Sequence, residues 1–238
     1  MFEAVRTLIA GVVLSLAATA CSADQPASNT TDRGTTKLIA LTYDDGPTEV
    51  TPRLLDVLKA HNAKATFFPN GANVQSAAAV VRRIAVEGHA VGNHTISHSR
   101  LTSLSLEAVR REVEDANALL AQLTGQRPVV FRPPYAAMND AVTDVVRTNG
   151  LSVILWSIYP ERLAFSASTI RNRVVDHARD GDIVFLHDTS AQTVDATEAI
   201  LSDLSAKGFE FVTVPELIRR RGKLVPGHTY ETGRGGKP

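Results

Sequence analysis

An α/β fold built on a parallel sheet is predicted by three features of the chain. Short apolar runs alternate with helix-period segments from residue 37 to residue 220, those runs are apolar on both faces, and the chemistry-bearing residues follow four different runs. The expected strands are 38–43, 65–68, 90–92, 129–131, 152–156, 183–186 and 209–213. Between them the apolar period predicts helices over 52–60, 77–87, 106–123, 140–148, 169–178 and 194–207, then a short one over 215–220. Start signals agree: Thr51 precedes Pro52 at the first helical position, Ser76 precedes Ala77, and Ser105 opens the longest helix. Alternation alone allows an open doubly wound sheet or a closed barrel. Residues from four strand ends converge most easily when the strands close into a ring, with the site on its carboxyl-end face.

With 238 residues, 44% of them hydrophobic, the chain can bury a full core. Its 25 basic residues balance 25 acidic ones and no basic run occurs, which argues against a nucleic-acid partner. A single cysteine excludes an internal disulfide framework and a cysteine-built zinc site. Residues 1–20 carry Arg6, an apolar stretch over 8–18 that is too short to span a bilayer, and Ala18-Thr19-Ala20 before Cys21, the pattern of a secretory signal peptide. Cys21 sits at the expected cleavage point, which resembles a bacterial lipoprotein box whose cysteine is acylated and anchors the protein in a membrane. Ala18 stands where such boxes usually have Leu, so plain cleavage after Ala20 is the alternative. Either route exports the protein to the periplasm, the cell envelope or the medium. Residues 21–36 are polar and read as a flexible linker, 37–222 as one folded domain, and 223–238, with four Gly and two Pro, as a disordered tail.

The chemistry starts at Asp44-Asp45-Gly46-Pro47, where the first strand ends. Such a tetrapeptide on its own marks a turn, but two adjacent carboxylates repel, so one is expected to hold a cation and the other to act as a base. Asn93-His94-Thr95-Ile96-Ser97-His98 supplies two imidazoles four positions apart, close enough to meet one ion. One carboxylate with two imidazoles leaves positions open for water and substrate, as catalysis requires. Arg132-Pro133-Pro134-Tyr135 follows the fourth strand. His187 emerges from the apolar run 183–186 at its carboxyl end, followed by Asp188.

Taken together, these motifs resemble the polysaccharide deacetylases, the NodB-homology family of metal-dependent carbohydrate esterases that includes chitin and peptidoglycan deacetylases, over residues 37–220. The resemblance implies a distorted barrel of seven or eight βα units. It implies that Asp45, His94 and His98 bind one divalent ion, with Zn²⁺ the first expectation and Co²⁺, Ni²⁺ or others tolerated. Asp44 is then the base, Arg132 the residue that orients it, and His187 the acid. The backbone amide of Tyr135 joins the oxyanion hole, with Ala136 where relatives often have Gly, and Leu186 shapes the pocket for the acetyl methyl. The implied activity is removal of acetyl groups from N-acetylated glycans, peptidoglycan or a chitin-like chain. An O-acetyl esterase on a polymer such as xylan and a catalytically weakened glycan-binding lipoprotein are the alternatives. The partner is an acetylated polysaccharide and the protein is expected to be a monomer. His61, His89, His177 and His228 lack partner spacing and read as structural or exposed.

The fourth motif departs from the family. Relatives usually carry Asp three residues after the motif's tryptophan, here Trp156, and a second Asp followed by Trp three residues further on. This chain reads Trp156-Ser157-Ile158-Tyr159-Pro160-Glu161-Arg162-Leu163, so Tyr159, Arg162 and Leu163 replace both carboxylates and the groove tryptophan. Without a substitute carboxylate, for which Glu161 is the nearest, His187 is expected to be a weaker acid and O-deacetylation to gain on N-deacetylation. Leu163 is expected to weaken sugar binding at that wall.

Overall fold

A computed structural model of the chain describes residues 36–162 and 166–237. The expected signal peptide, Cys21, the linker apart from Thr36, and Leu163 lie outside the described residues. The central strand β1 (Lys37–Asp44) pairs in parallel with β2 (Ala65–Phe68) on one side and β6 (Asp182–His187) on the other. Beyond β2 lies β3 (Ala90–Val91). Asn93, just past β3, bridges in parallel to Phe131 of β4 (Val130–Phe131), which pairs with β5 (Ser152–Ile154). The ring closes between β5 and β6 in two ways: through β8 (Thr229–Thr232), parallel to β5 and antiparallel to β6, and through a direct bridge from Ile158 to Val184. Two strands stand off this path, β7 (Phe209–Phe211) on the first half of β1 and β9 (Gly235–Lys237) on β8. The result is a distorted α/β barrel.

Helices α1 (Thr51–Ala60), α3 (Ala78–Val86), α4 (Leu106–Thr124), α5 (Asp140–Thr148), α6 (Ala167–His177), α7 (Ala191–Ala206) and α8 (Val214–Arg219) link the strands, with one extra turn, α2 (Gly71–Val74), between β2 and α3. Ser105 caps α4, its Oγ accepting from Ala108 N. Two expected caps do other work. Thr51 lies inside α1 and turns its hydroxyl to Asp188, while Ser76 Oγ donates to Asn73 O and leaves α3 without a side-chain cap.

Residues 223–238, expected as a disordered tail, instead supply β8 and β9. Their Gly and Pro content masks a run of good strand formers, Thr229-Tyr230-Glu231-Thr232, too short to stand out by periodicity. Tyr230 is buried; its hydroxyl donates to Lys223 O at 2.7 Å and accepts from Val225 N at 3.0 Å, fixing the entry to the strand.

The period of two along the strands sorts side chains into two compartments. On β1, Ile39, Leu41 and Tyr43 point outward into the core shared with α1 and α7, while Leu38 and Ala40 point into the barrel with Phe68, Val130, Ile154, Ile183 and Tyr230. Continuing the inner row places Thr42 and Asp44 at the top of the lumen. On β6 the same alternation turns Val184 and Leu186 outward and aligns Phe185 and His187 with inward-facing Ile183.

Candidate active site

Strand register makes the first juxtaposition. Asp44 on β1 stands directly opposite His187 on β6, and the bridge from Asn93 to Phe131 brings His94 beside Arg132. Around them opens a cavity of about 350 Å³ at the carboxyl ends of the strands, lined by Asp44, Asp45, His94, His98, Arg132, Tyr135, Trp156 and His187 among others.

Arg132 is only 1% exposed, so its charge must be met inside the protein. Its Nη1 donates to Asp44 Oδ1 at 2.8 Å and to Thr42 Oγ1 at 2.7 Å, Nε to Ile154 O at 3.1 Å, and Nη2 to Leu155 O at 3.0 Å. The rings of Phe68 and Phe185 lie 4.4 and 5.2 Å from the guanidinium carbon. These bonds fix one face of the Asp44 carboxylate and leave Oδ2 toward His94 Nε2 at 3.7 Å.

Asp45, at the turn past the strand, has φ of 71°. Glycine follows because a Cβ on Gly46 would lie 2.0 Å from Asp188 Oδ2. Buried Asp188 accepts from Thr51 Oγ1 at 2.6 Å, and its backbone carbonyl accepts from Thr48 Oγ1 at 2.7 Å, so it ties β6 to the loop that carries both aspartates. Burial pushes the Asp188 carboxyl up to about 6.

Asp45 Oδ1 is buried and has no hydrogen-bond partner. It faces His94 Nε2 at 3.5 Å and His98 Nε2 at 3.2 Å, and the three ligand atoms lie within 4.8 Å of one another. Ligands about 2 Å from a tetrahedral ion stand about 3.3 Å apart, so this orphaned oxygen and the two imidazoles fit one divalent cation. His94 Nδ1 donates to Arg132 O at 2.6 Å, which fixes the tautomer and leaves the Nε2 lone pair for a metal. Burial pushes the Asp45 carboxyl up, but His94, His98 and His187 outweigh it and hold the group below the ordinary carboxylate value. Burial pulls His98 below its ordinary value despite Asp45.

The histidine loop has supports that sequence reasoning missed. Asn93 Oδ1 accepts from Thr95 N at 2.8 Å, and its Nδ2 donates to Val113 O and Asn117 Oδ1 on α4. Glu112, also on α4, accepts from Ile96 N and Ser97 N through Oε2 and from Ser97 Oγ through Oε1. The position of Asn93, immediately before the first ligand, was the available signal. Glu112 left none, because a helix acid facing a loop has no local pattern.

Two expectations are corrected. Leu186 does not shape the cavity: it is fully buried in the outer core, and Phe185 is the β6 residue that lines the cavity beside His187. Strand alternation is the reason, since residues one apart face opposite sides. The vacancy foreseen in the fourth motif is also filled. Glu161 Oε2 accepts from His187 Nδ1 at 2.5 Å, and its Oε1 accepts from Thr193 Oγ1 at 2.6 Å and from His187 N at 3.3 Å. Burial pulls His187 down, but Glu161 outweighs it and the imidazole is held above its ordinary value. The premise for a weakened acid therefore fails.

Tyr135 and Ala136 take φ of 60° and 52° in a tight turn whose bonds run from Ala136 N to Pro133 O and Ala137 N to Pro134 O. The Tyr135 amide takes part in neither bond. The Tyr135 ring is 60% exposed, edge-on to His98 at 4.9 Å, with Arg100 over it at 4.7 Å. Of the other histidines, His89 is buried with Nδ1 accepting from Ala65 N, and His177 is exposed.

A barrel with a cation-fitting triad between a buried, arginine-paired carboxylate and a carboxylate-held imidazole is the architecture of a metal-assisted hydrolase. Residues 31–154 match the family model described as polysaccharide deacetylase. A peptidoglycan-N-acetylglucosamine deacetylase of Bacillus cereus is 38% identical over 190 residues, 77% of this chain and 89% of that one. The peptidoglycan-N-acetylglucosamine deacetylase PgdA of Listeria monocytogenes is 40% identical over 198 residues, 82% of this chain but 41% of that protein, so the chain spans about two fifths of this relative's length. A family 4 acetyl xylan esterase from Clostridium thermocellum, solved with a cobalt ion, superposes with a TM-score of 0.77 at 33% identity, covering 82% of this chain and 98% of that one. The chain belongs to the polysaccharide deacetylase family.

Proposed function

We propose that the protein is a metal-dependent deacetylase that removes acetyl groups from N-acetylated glycans of the cell envelope, peptidoglycan or a chitin-like chain. The observation that carries this reading is the placement of Asp44 and His187 opposite each other across β1 and β6, flanking the Asp45–His94–His98 triad. An ion bound by that triad, with Zn²⁺ the first choice, would supply a Lewis acid that polarises the acetyl carbonyl.

The chain's own residues do the rest. Asp44, fixed through Oδ1 by Arg132, takes the proton from the attacking water. The amide of Tyr135 donates to the oxygen that gains charge as the carbonyl carbon becomes tetrahedral. His187 then gives its Nε2 proton to the departing nitrogen. Glu161 holds the opposite edge of the ring, which orients Nε2 to the cavity and strengthens the imidazole's hold on its proton relative to the ordinary value. Arg132 is a positioning residue, since four of its five N–H donors are spent on Asp44, Thr42 and two carbonyls.

O-deacetylation of a xylan-like polymer is the second reading, supported by the likeness to an acetyl xylan esterase. Glu161 favours the N-acetyl reading, because an amine leaves only when protonated and the acid is well held. It also weighs against the catalytically weakened glycan binder, for which the loss of the fourth motif spoke, since His187 keeps a carboxylate partner. The amino-terminal pattern and Cys21 support export with a lipid anchor, which the mass of the mature chain would reveal as an acyl adduct. The function is tested by acetate release from a panel of N- and O-acetylated oligosaccharides with and without chelator. Release that stops with chelator and returns with divalent ion is expected; release indifferent to chelator would sink the reading.

A further inference from the structure

The cavity has an aromatic wall that the proposed chemistry leaves unused. Trp156 and Phe185 stack with centroids 4.1 Å apart at 20°, and Phe185 lies 4.6 Å from the ring of His187. Tyr159 closes the wall, 4.8 Å from Phe185 and 5.9 Å from Trp156, and it is 39% exposed. Its backbone is pinned: Ile158, one residue before, bridges to Val184 of β6, with Phe185 N donating to Ile158 O at 2.9 Å. A rigid, uncharged aromatic surface is thus held open beside the acid.

We infer that Tyr159, backed by Phe185 and Trp156, is the platform on which the sugar ring bearing the departing nitrogen stacks, which makes Tyr159 a specificity-determining residue. This inference rests on the function proposed above and adds the binding mode. A pyranose presents a face of C–H groups that packs on an aromatic ring while its hydroxyls stay wet, the kind of contact an exposed tyrosine backed by two other rings provides. A wall without charge takes a neutral sugar. Its contact with His187 through Phe185 places the bound ring on the side where the proton must be delivered. Tyr159 occupies the position at which relatives usually carry an aspartate, so the substitution exchanges a charged wall for a stacking one.

The test compares the parent with Tyr159→Ala, Tyr159→Phe and Tyr159→Asp in the metal-loaded protein. On N-acetylated oligosaccharides Tyr159→Ala is expected to raise KM roughly 2- to 13-fold with kcat within about threefold, since a stacked pair is worth about 0.5–1.5 kcal/mol. Tyr159→Phe should restore KM and Tyr159→Asp should not, and selectivity for the oligosaccharide over 4-nitrophenyl acetate should fall as KM rises. Binding is read separately in Asp44→Asn by the fluorescence of Trp156, the only tryptophan of the chain. A saturable change with the oligosaccharide is expected, and it should be lost when Tyr159→Ala is added. Equal KM in parent and Tyr159→Ala, equal losses on both substrates, or a fluorescence titration indifferent to Tyr159 would each overturn the platform. If the parent released no acetate from any glycan, the functional reading would fail, and the fluorescence titration would still decide whether this wall binds sugar.

Discussion

Seven connections lead from a helix into the amino-terminal end of a strand among the described residues; six contain a left-handed glycine, at Gly88, Gly125, Gly150, Gly181, Gly208 and Gly227, and the seventh has Asn62 in that conformation. At the opposite end the described residues with positive φ are Asp45, Thr95, His98, Tyr135 and Ala136, none of them glycine. A side chain in that region costs about 1–2 kcal/mol, and glycine avoids the cost. The amino-terminal end uses the cheap solution because nothing is asked of those residues beyond a change of direction. At the carboxyl-terminal end a carboxylate, an imidazole or a presented amide is required at the bend itself. Glycine could supply the bend there but not the carboxylate or imidazole, and the surrounding hydrogen bonds hold the strain in place.

The sharpest way to break this contrast is at Asp44. Asp44→Asn is expected to lower kcat on the order of 10²–10⁴-fold, the range for losing a general base, while the metal stays bound. Metal analysis beside steady-state kinetics decides it; an empty site in the variant would mean that the roles of Asp44 and Asp45 are exchanged.

Glu161→Gln comes next, with an expected loss in kcat of roughly 10–100-fold. Glu161 holds His187 above its ordinary value, so in the parent the acid keeps its proton until the pH rises through that raised value. The alkaline limb of the kcat profile should therefore move to lower pH in the variant. A limb that stays in place would show that Glu161 does not tune the acid.

Asp188 tests whether the loop anchor contributes to stability with the sign its burial implies. A carboxyl raised to about 6 in the fold stabilises fully below its unfolded value, about 4, and loses that contribution as pH rises through about 6. Asp188→Asn keeps the shape without the titration, so relative to the parent it should gain about 2–3 kcal/mol between about pH 4 and pH 7. Urea melts across that range read the difference, and a constant offset would contradict the assignment.

The smallest effects compare the two ends directly. A Cβ on Gly208 meets open space, so Gly208→Ala carries only the backbone cost, about 1–2 kcal/mol of stability, with turnover untouched. Ala136→Gly relieves a similar strain but frees the unfolded chain, leaving stability within about 1 kcal/mol, and it loosens the turn that presents the Tyr135 amide. Its signature is a few-fold fall in kcat in assays at constant metal. A harmless Gly208→Ala would remove the distinction between the ends.

Strand and helix positions up to residue 220 and the residues around the cavity were legible because they leave local marks: Asp44-Asp45 ends an apolar run, and His94 and His98 share one loop. What escaped depends on facing direction or distance along the chain. Leu186 was expected at the cavity on the family resemblance, yet the pleat turns it outward and puts Phe185 in its place. Glu161 was legible only as the nearest carboxylate, because its reach to His187 depends on the bridge from Ile158 to Val184. The strand over Thr229–Thr232 was hidden by the glycines and prolines around it, and its partners are far away in sequence.

That late strand makes maturation order a property of the fold. Until Thr229–Thr232 docks, β5 and β6 each present an open edge at the amino-terminal end, and the walls carrying Trp156 and His187 are joined only by the bridge from Ile158 to Val184. The pairing closes a long loop, the slow kind of contact in folding. On refolding from denaturant, helical signal is expected to recover before turnover, and simultaneous recovery would count against this order. A nascent chain would thus hold every chemical group of its site in a ring closed at one end only, and a protease trimming past residue 229 would loosen a barrel whose chemistry is carried wholly upstream.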